Sequence, residues 1–568
     1  MSYDLKDVKM PVLTGRALRA FAAALDNPLT GPALVKKLMR DAGVPRLAEL
    51  KDLPAPLFLP LAPAPEPGPE PSEKKPRLAS RLVAIFRRDP APAAPPEPPA
   101  GPAPFRSAAD FAAAYKRGET TPEEVAERFL AAYAELNPRL HAFIAVNPDD
   151  VRTQAAASAM RWRRGEPLGP LDGVPVAVKD ELDVDGYPTT AGTAFLKEVA
   201  NEDATAVARL RAAGALIVGK ANMHELGANP TGHNPHHGHA RNPYDPARDT
   251  GGSSSGPAAA VASGLVPLAL GADAGGSIRV PAALTGVYGL KPTFGGVSEH
   301  GAYPVCWSVA HVGPLGASAA DVAMAHRLIA GPDPKDPHTA SAPVPEAPDW
   351  NREDLAGLKV GVWPEWFDHA EPDVVAVARA ALARMEEAGA EVVEFELPGL
   401  DDARVAHAVT VLTEMGRSFQ RTQPHWRELA PATRINLKIG QSAAGADYVA
   451  AQQVRARTVA ALDEVLGRVD LIATPTAAIP APLVPKAAEP DGISDLGTVT
   501  QLMRFIFLTN LTGHPSLSLP AGYTAEGLPV GLQLIGRAWG ERTLLEAAWV
   551  LERTGERRRP QLFADLLG

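Results

Sequence analysis

Three stretches of the chain set nucleophilic and basic side chains among residues small enough for a substrate to come close. GVPVAVKDELDVDGYPTTAGT (173–193) places Lys179 at the end of an apolar run, GGSSSG (251–256) sets three serines between glycines, and GADAGGSIRVPAALTGVYGLKPT (271–293) puts Ser277 directly behind two glycines. Each is ordinary alone: Gly-Ser runs are commonly loops, and a lysine ending a strand is commonly solvated. Together they supply parts for nucleophilic catalysis by a serine. A hydroxyl attacks poorly until a neighbour removes its proton. Lysine removes it only when neutral, and at a reference pKa of ~10.4 about one in a few thousand is neutral at pH 7. Burial away from water and from other charges disfavours the ammonium. A second serine can pass the proton on, because its hydroxyl both donates and accepts. Small residues such as Ala274, Gly275 and Gly276 let backbone N–H groups approach a substrate oxygen. Donors aimed at a developing oxyanion contribute several kcal/mol to rate. Asp273 and Arg279 flank this loop and read as its braces.

A fourth segment, NMHELGANPTGHNPHHGHARNPYD (222–245), carries His224, His233, His236, His237 and His239. Clustered histidines raise the question of a metal. This one lies in a loop of Pro, Gly and Asn with no carboxylate or thiolate set to complete a site, so neither metal nor cofactor is expected.

The elements that must position these residues follow from pattern. VPVAVK (174–179), ALIVGK (215–220), LVPLALG (265–271), LKVGVW (358–363), DLIATPT (470–476) and LPVGLQLIG (528–536) are short apolar runs that read as buried strands, with helical stretches between them. Such alternation predicts an α/β domain. Thr121, Pro122 and Glu124 form a capping box that opens a helix through VAERFLAAYAEL. The catalytic domain is placed at 105–568.

Two further segments precede it. Residues 1–60 hold a helical hairpin: Leu13, Ala17, Leu18, Phe21 and Leu25 make one apolar face, and Leu34, Val35, Leu38 and Met39 make another between Pro32 and Gly43. Packing on the main domain and contact with lipid are the two readings open to such a pair. Residues 61–104 are rich in Pro, Ala and Glu and read as an extended linker. It is interrupted by KKPRLASRLVAIFRR (74–88), a basic amphipathic segment that suits either a membrane surface or docking on its own protein.

Composition narrows the function class. The formal net charge is −10, against nucleic acid as a main partner. Cys306 is the single cysteine, so no intramolecular disulfide forms. No signal-like h-region opens the chain and no apolar run reaches ~18 residues, so the expected location is cytoplasmic, with peripheral membrane contact through the N-terminal region as the alternative.

The run Gly251–Gly256 with Asp273, Gly275, Gly276, Ser277, Ile278, Arg279 and Pro281 resembles the amidase signature family, and the 24-residue spacing of Ser253 and Ser277 is that family's spacing. The likeness continues through DLIATPT and NLTGHPSLSLPAGYTAEGLPVGLQLIG (510–536), covering roughly residues 105–565. The resemblance implies a large mixed twisted sheet covered by helices on both faces, with an N-terminal helical extension. It implies Ser277 as nucleophile, Ser253 as a bridging serine held by a cis peptide, and Lys179 as base. It also implies an oxyanion hole from Ala274, Gly275, Gly276 and Ser277, and substrate contacts at Gly251, Gly252 and Ser254.

Within the family, GGSSSG, VAVKDE (176–181), PAPLFLPL (54–61) and the histidine-bearing segment resemble the plant-type fatty acid amide hydrolases. In that subgroup N-terminal helices help shape a hydrophobic acyl channel. The implied reaction is hydrolysis of fatty acyl amides such as N-acylethanolamines to a fatty acid and an amine. The partners on this reading are a small lipid amide, a membrane surface and a second copy in a homodimer. The alternatives are a general small-molecule amidase and the triad-bearing component of the tRNA-dependent amidotransferase, which works in a complex. The N-terminal extension and the NPHHG loop speak against the amidotransferase. A non-catalytic scaffold would be expected to lack a triad member, and all three are present.

Overall fold

A computed structural model describes residues 3–7, 11–56, 104–489 and 491–568. The basic segment at 74–88 lies outside these, as does the Pro-rich stretch up to residue 103. Short apolar runs cannot make a full helix, and they bury both faces by pairing as strands. Eleven strands form one sheet: β1 (Phe143–Ala145), β2 (Pro175–Lys179), β3 (Leu216–Ala221), β4 (Leu268–Ala272), β5 (Tyr288–Lys291), β6 (Val312–Gly316), β7 (Lys359–Val362), β8 (Glu391–Glu394), β9 (Leu471–Pro475), β10 (Ser516–Tyr523) and β11 (Pro529–Gly536). All six predicted runs are among them, as β2, β3, β4, β7, β9 and β11.

The strand order is β1-β3-β2-β4-β6-β5-β10-β11-β9-β7-β8. The sheet is mixed: β3, β2 and β4 run parallel, as do β9, β7 and β8, with antiparallel pairs between the two groups. Helices flank it, as the resemblance implied. Among the described residues no helix is long and apolar enough to cross a membrane.

The helices that matter for the site are α1 (Gly15–Asp26), α2 (Gly31–Asp41), α3 (Pro122–Leu140), α4 (Ser255–Ala262), α5 (Arg279–Thr285), α6 (Leu400–Ser418), α7 (Pro431–Gly440) and α8 (Gly445–Leu466). The capping box of α3 is present: Thr121 Oγ1 accepts from the Glu124 N–H, and Glu124 Oε2 from the Thr121 N–H, both at 3.2 Å. The helix runs past its predicted end at Leu136 to Leu140. Leu136 and Leu140 are one helical step apart on the same buried face, which carries the helix through Pro138. Every residue of α4 is buried, and its sequence SGPAAAVA is narrow enough to fit.

The N-terminal pair α1–α2 packs on α7. Leu18, Ala22, Leu25 and Val35 are buried with Ala432 and Ile435, and Leu13, Phe21, Leu34 and Leu38 pack around them. Asp26 accepts from Trp426 Nε1 at 3.1 Å and from Arg434 Nη1 at 3.2 Å. Of the two readings open to this pair, packing is the one these contacts display. Leu18, Phe21, Leu34 and Leu38 thus face α7. A groove of about 700 Å³ runs along the pair, lined by Leu25, Val35, Met39, Lys438 and Asp447, and none of the triad residues borders it.

Leu18 is the least exposed apolar side chain of the pair's seam. Leu18→Ala should weaken the docking of α1 and α2 by about 2–5 kcal/mol. Hydrogen exchange should speed up across Gly15–Asp41 while the sheet strands keep their protection; unchanged exchange in α1 would contradict this packing account.

Candidate active site

The site begins with strand register. β2 and β4 are parallel neighbours, with Val178 opposite Leu270. Their C-terminal ends therefore lie side by side, where open α/β sheets gather ligands. Lys179, the last residue of β2, is 1% exposed; its Nζ donates to Ala272 O at 3.2 Å and to Ser253 Oγ at 2.9 Å. The serine loop is tied to the same place. The Ser254 N–H donates to Ser277 O at 3.1 Å, and Ser254 Oγ exchanges hydrogen bonds with Ala272 O and N at 3.2 and 3.3 Å. Sequence positions 179, 253 and 277 are thus brought to one point.

The Gly252–Ser253 peptide is cis, as the resemblance implied. A Cβ at Gly252 would lie 2.0 Å from Thr231 O, so only glycine fits against that carbonyl. The Gly251 N–H donates to Asp249 Oδ1 at 2.6 Å. Gly251, Gly252 and Ser254 were expected as substrate contacts; in the structure Gly251 bonds Asp249, Gly252 lies against Thr231 and Ser254 bonds Ser277 and Ala272.

The turn after β4 is ordered one peptide plane at a time. In a trans peptide the C=O and the following N–H point in opposite directions. Asp273 O accepts from Asn510 Nδ2 at 3.0 Å, which turns the Ala274 N–H the other way. Ala274 O accepts from His407 Nε2 at 2.8 Å, which does the same for the Gly275 N–H. Gly276 O accepts from the Val280 N–H at 2.7 Å, fixing the Ser277 N–H. Among the described residues the N–H groups of Ala274, Gly275 and Ser277 have no acceptor. Gly276 differs: its N–H is given to Asp273 Oδ1 at 2.6 Å, which removes it from the oxyanion donors predicted for this loop. Its place is steric instead, since φ is +103° and a Cβ would meet Ile506 Cδ1 at 1.6 Å.

Asp273 and Arg279 are the expected braces. Both are fully buried and bonded twice, Nε to Oδ2 and Nη2 to Oδ1, each at 3.0 Å. Arg279 Nη1 also donates to Thr509 Oγ1 and Gln533 Oε1, both at 2.7 Å, and Nη2 to Asn510 Oδ1 at 2.5 Å. Burial works against the Asp273 carboxylate, but Arg279, Asn510 and the Ile278 N–H outweigh it and hold the group well below the usual carboxylate range.

Two residues that sequence reading missed lie at the centre. His407, on α6, secures Ala274 O; burial pushes its imidazole down to about 4, so it is neutral, with its proton on Nε2 to meet a carbonyl. Nothing in its local sequence marks it. Glu181 places Oε2 at 2.6 Å from Lys179 Nζ. Burial of Lys179 matches the sequence prediction; separation from other charges does not. Strand spacing does not mark Glu181: β2 ends at Lys179, and a turn closed by the Leu182 N–H to Lys179 O at 3.0 Å brings Glu181 back to the lysine. Asp180, between them, faces the other way and pairs with Lys220 at 3.2 Å.

The histidines of 222–245 tie their loop down. His224 Nδ1 bonds Thr231 Oγ1 at 3.0 Å, His233 Nε2 faces Asp249 Oδ2 at 3.0 Å, and His236 bonds Glu225. His237 Nε2 meets Thr193 O at 2.9 Å. His239 accepts from the Asn234 N–H at 2.7 Å through Nδ1 and reaches Ala488 O at 3.2 Å through Nε2. Burial pushes His224 down to about 3 and His239 to about 4, so these two are neutral cross-braces.

The Amidase family profile matches residues 124–545. A fatty acid amide hydrolase from Oryza sativa subsp. indica is 38% identical over 594 residues, spanning 100% of this chain and 96% of that protein. A second, from Medicago truncatula, is 36% identical over 590 residues, spanning 100% of this chain and 97% of its own. Among solved structures, the peptide amidase from Stenotrophomonas maltophilia superposes with a TM-score of 0.68 at 32% identity, covering 80% of this chain and 98% of that one. With its Ser277, Ser253 and Lys179 gathered at the end of a parallel strand pair, the chain belongs to the amidase signature family and is an amide-hydrolysing enzyme.

Proposed function

We propose that this enzyme hydrolyses fatty acyl amides of the N-acylethanolamine kind to a fatty acid and an amine, through an acyl-enzyme on Ser277 in a catalytic domain spanning 105–568. The observation that carries the chemistry is the Lys179 Nζ–Ser253 Oγ bond of 2.9 Å beside a loop with N–H groups of Ala274, Gly275 and Ser277 open to an acceptor. Exposure is graded in the order a proton must travel: Ser277 8%, Ser253 2%, Lys179 1%. The nucleophile is outermost and the base innermost.

In this mechanism Ser277 Oγ attacks the amide carbonyl while its proton passes to Ser253, whose own proton passes to Lys179. The carbonyl oxygen becomes an oxyanion and takes the open N–H groups, donors already in place before charge develops. The lysine returns the proton through Ser253 to the leaving nitrogen, and the amine departs. Water then attacks the ester by the same relay in reverse. Among the described residues Ser277 Oγ has no hydrogen-bond partner, so the Ser253–Ser277 link closes when substrate enters; such bonds tighten in the Michaelis complex.

Two observations support a fatty amide substrate. The fatty acid amide hydrolases match this chain over its full length, α1 and α2 included. Ala274 also packs on an apolar cluster with Leu226, Val305, Met415, Phe419 and Leu437, so the wall beside the open N–H groups is greasy.

Ser277→Ala should lose turnover and keep the fold. Intact mass after a fluorophosphonate should show one adduct on the wild type and none on the variant; a surviving adduct would move the nucleophile elsewhere. In a series of one amine joined to acyl chains from acetyl to arachidonoyl, kcat/KM should climb with length until the apolar wall is covered. Each buried methylene contributes about 0.8 kcal/mol at most, or about fourfold. A preference for acetamide-sized substrates would leave a general amidase in its place.

A further inference from the structure

Lys179 Nζ has three polar neighbours: Ser253 Oγ at 2.9 Å, Ala272 O at 3.2 Å and Glu181 Oε2 at 2.6 Å. They differ in kind. A backbone carbonyl and an ionised carboxylate only accept, whereas a hydroxyl also donates. A neutral amine has two N–H groups and one lone pair. Its N–H groups must go to Ala272 O and Glu181, which leaves the lone pair on Ser253, the one neighbour with a proton to give. A lysinium has three N–H groups and finds three acceptors in the same places. Both protonation states are satisfied without any atom moving.

Resting on the triad reading above, we propose that Glu181 is the positioning residue of this site. It aims the Lys179 lone pair at Ser253 and balances the lysinium formed as Ser277 attacks. One proton moves at each step, Ser277 to Ser253 to Lys179 and back to the leaving nitrogen, and Glu181 keeps its charge throughout. Glu181 forms part of the lining of a cavity of about 70 Å³ shared with Glu299, Tyr303, Cys306, Trp307 and His311. Burial, with Asp336 and Glu181 adding, pushes the Glu299 carboxyl well up, and burial likewise raises the Cys306 thiol. Among the described residues Tyr303 Oη and His311 Nε2 have no hydrogen-bond partner, so polar groups stand ready for a small occupant. Trp307 is 42% exposed, which sets the cavity within reach of solvent.

The test is Glu181→Gln and Glu181→Ala, assayed on the amide that the wild type turns over fastest in the acyl series. The glutamine keeps size and an acceptor but removes the charge. Its kcat should fall about a hundredfold, in the range of a displaced general base, with KM unchanged. In Glu181→Ala, added formate should enter the enlarged cavity and restore kcat at least about tenfold. A Glu181→Gln variant with wild-type kcat overturns the proposal. So does a loss that comes with raised KM and ignores formate, because that is the behaviour of a purely structural residue. Failure of the triad reading is separate: turnover or fluorophosphonate labelling that persists in Ser277→Ala would sink it whatever Glu181 does.

Discussion

Burying a guanidinium with a carboxylate strips both of water at a cost of several kcal/mol per ion, and attraction offsets that cost only when the remaining protons and lone pairs are matched. The Asp273–Arg279 pair meets this condition, and the turn at the active site depends on it. Asp273 accepts from the Gly276 and Ile278 N–H groups at 2.6 and 3.0 Å, while Arg279 reaches Ile506, Thr509 and Asn510. It also reaches Gln533 on β11, so the turn is anchored to distant parts of the chain. The carbonyls around it are held by Asn510, His407 and Val280, and the open N–H groups are what is left over. The oxyanion site proposed here is thus a residue of hydrogen-bond accounting around a buried ion pair.

The legible part of this site was the part made of local pattern. Six strands were visible because short apolar runs between breakers have few other ways to bury themselves, and Thr121-Pro122 with Glu124 marks a helix start by itself. Lys179 was visible as the end of an apolar run, and Ser253 and Ser277 through their flanking glycines, which the structure explains by close backbone approach at Gly252 and Gly276. What the sequence hid is what only pairing in space reveals. His407 sits in an ordinary helix and meets Ala274 across 133 positions of chain. The commitment of the Gly276 N–H follows from the orientation of the Asp273 carboxylate, for which no spacing rule exists. The histidine loop raised the question of a metal and was read as holding none; its side chains bond to their own loop and its neighbours.

The N-terminal pair acts on the site at one remove. α7 has two apolar faces: Ala432, Ile435 and Ile439 meet α1 and α2, while Leu437 joins the cluster that holds Ala274. α7 also packs on α6, which carries His407 and Met415. α7 therefore stands between the pair and both the greasy wall and the helix that carries the histidine. On the fatty amide reading, this arrangement lets α1 support the wall without touching the acyl chain.

A lysine base asks more of its surroundings than a histidine does. Imidazole offers one acceptor nitrogen whose direction is fixed by the ring, and a single partner on the other nitrogen sets the tautomer. An amine rotates freely about its last carbon, so its lone pair points wherever its N–H groups do not. Direction must then be imposed by neighbours that can only accept. Ala272 O and Glu181 are such neighbours, and both are held independently of the lysine, one at the end of β4 and the other by the Tyr303 N–H at 2.7 Å to its own carbonyl. The parallel pairing of β2 with β4 supplies the first, and the turn that follows β2, closed by the Leu182 N–H to Lys179 O at 3.0 Å, supplies the second. On the proposed relay, the direction of proton transfer is set by one strand end and by the turn that follows its neighbour.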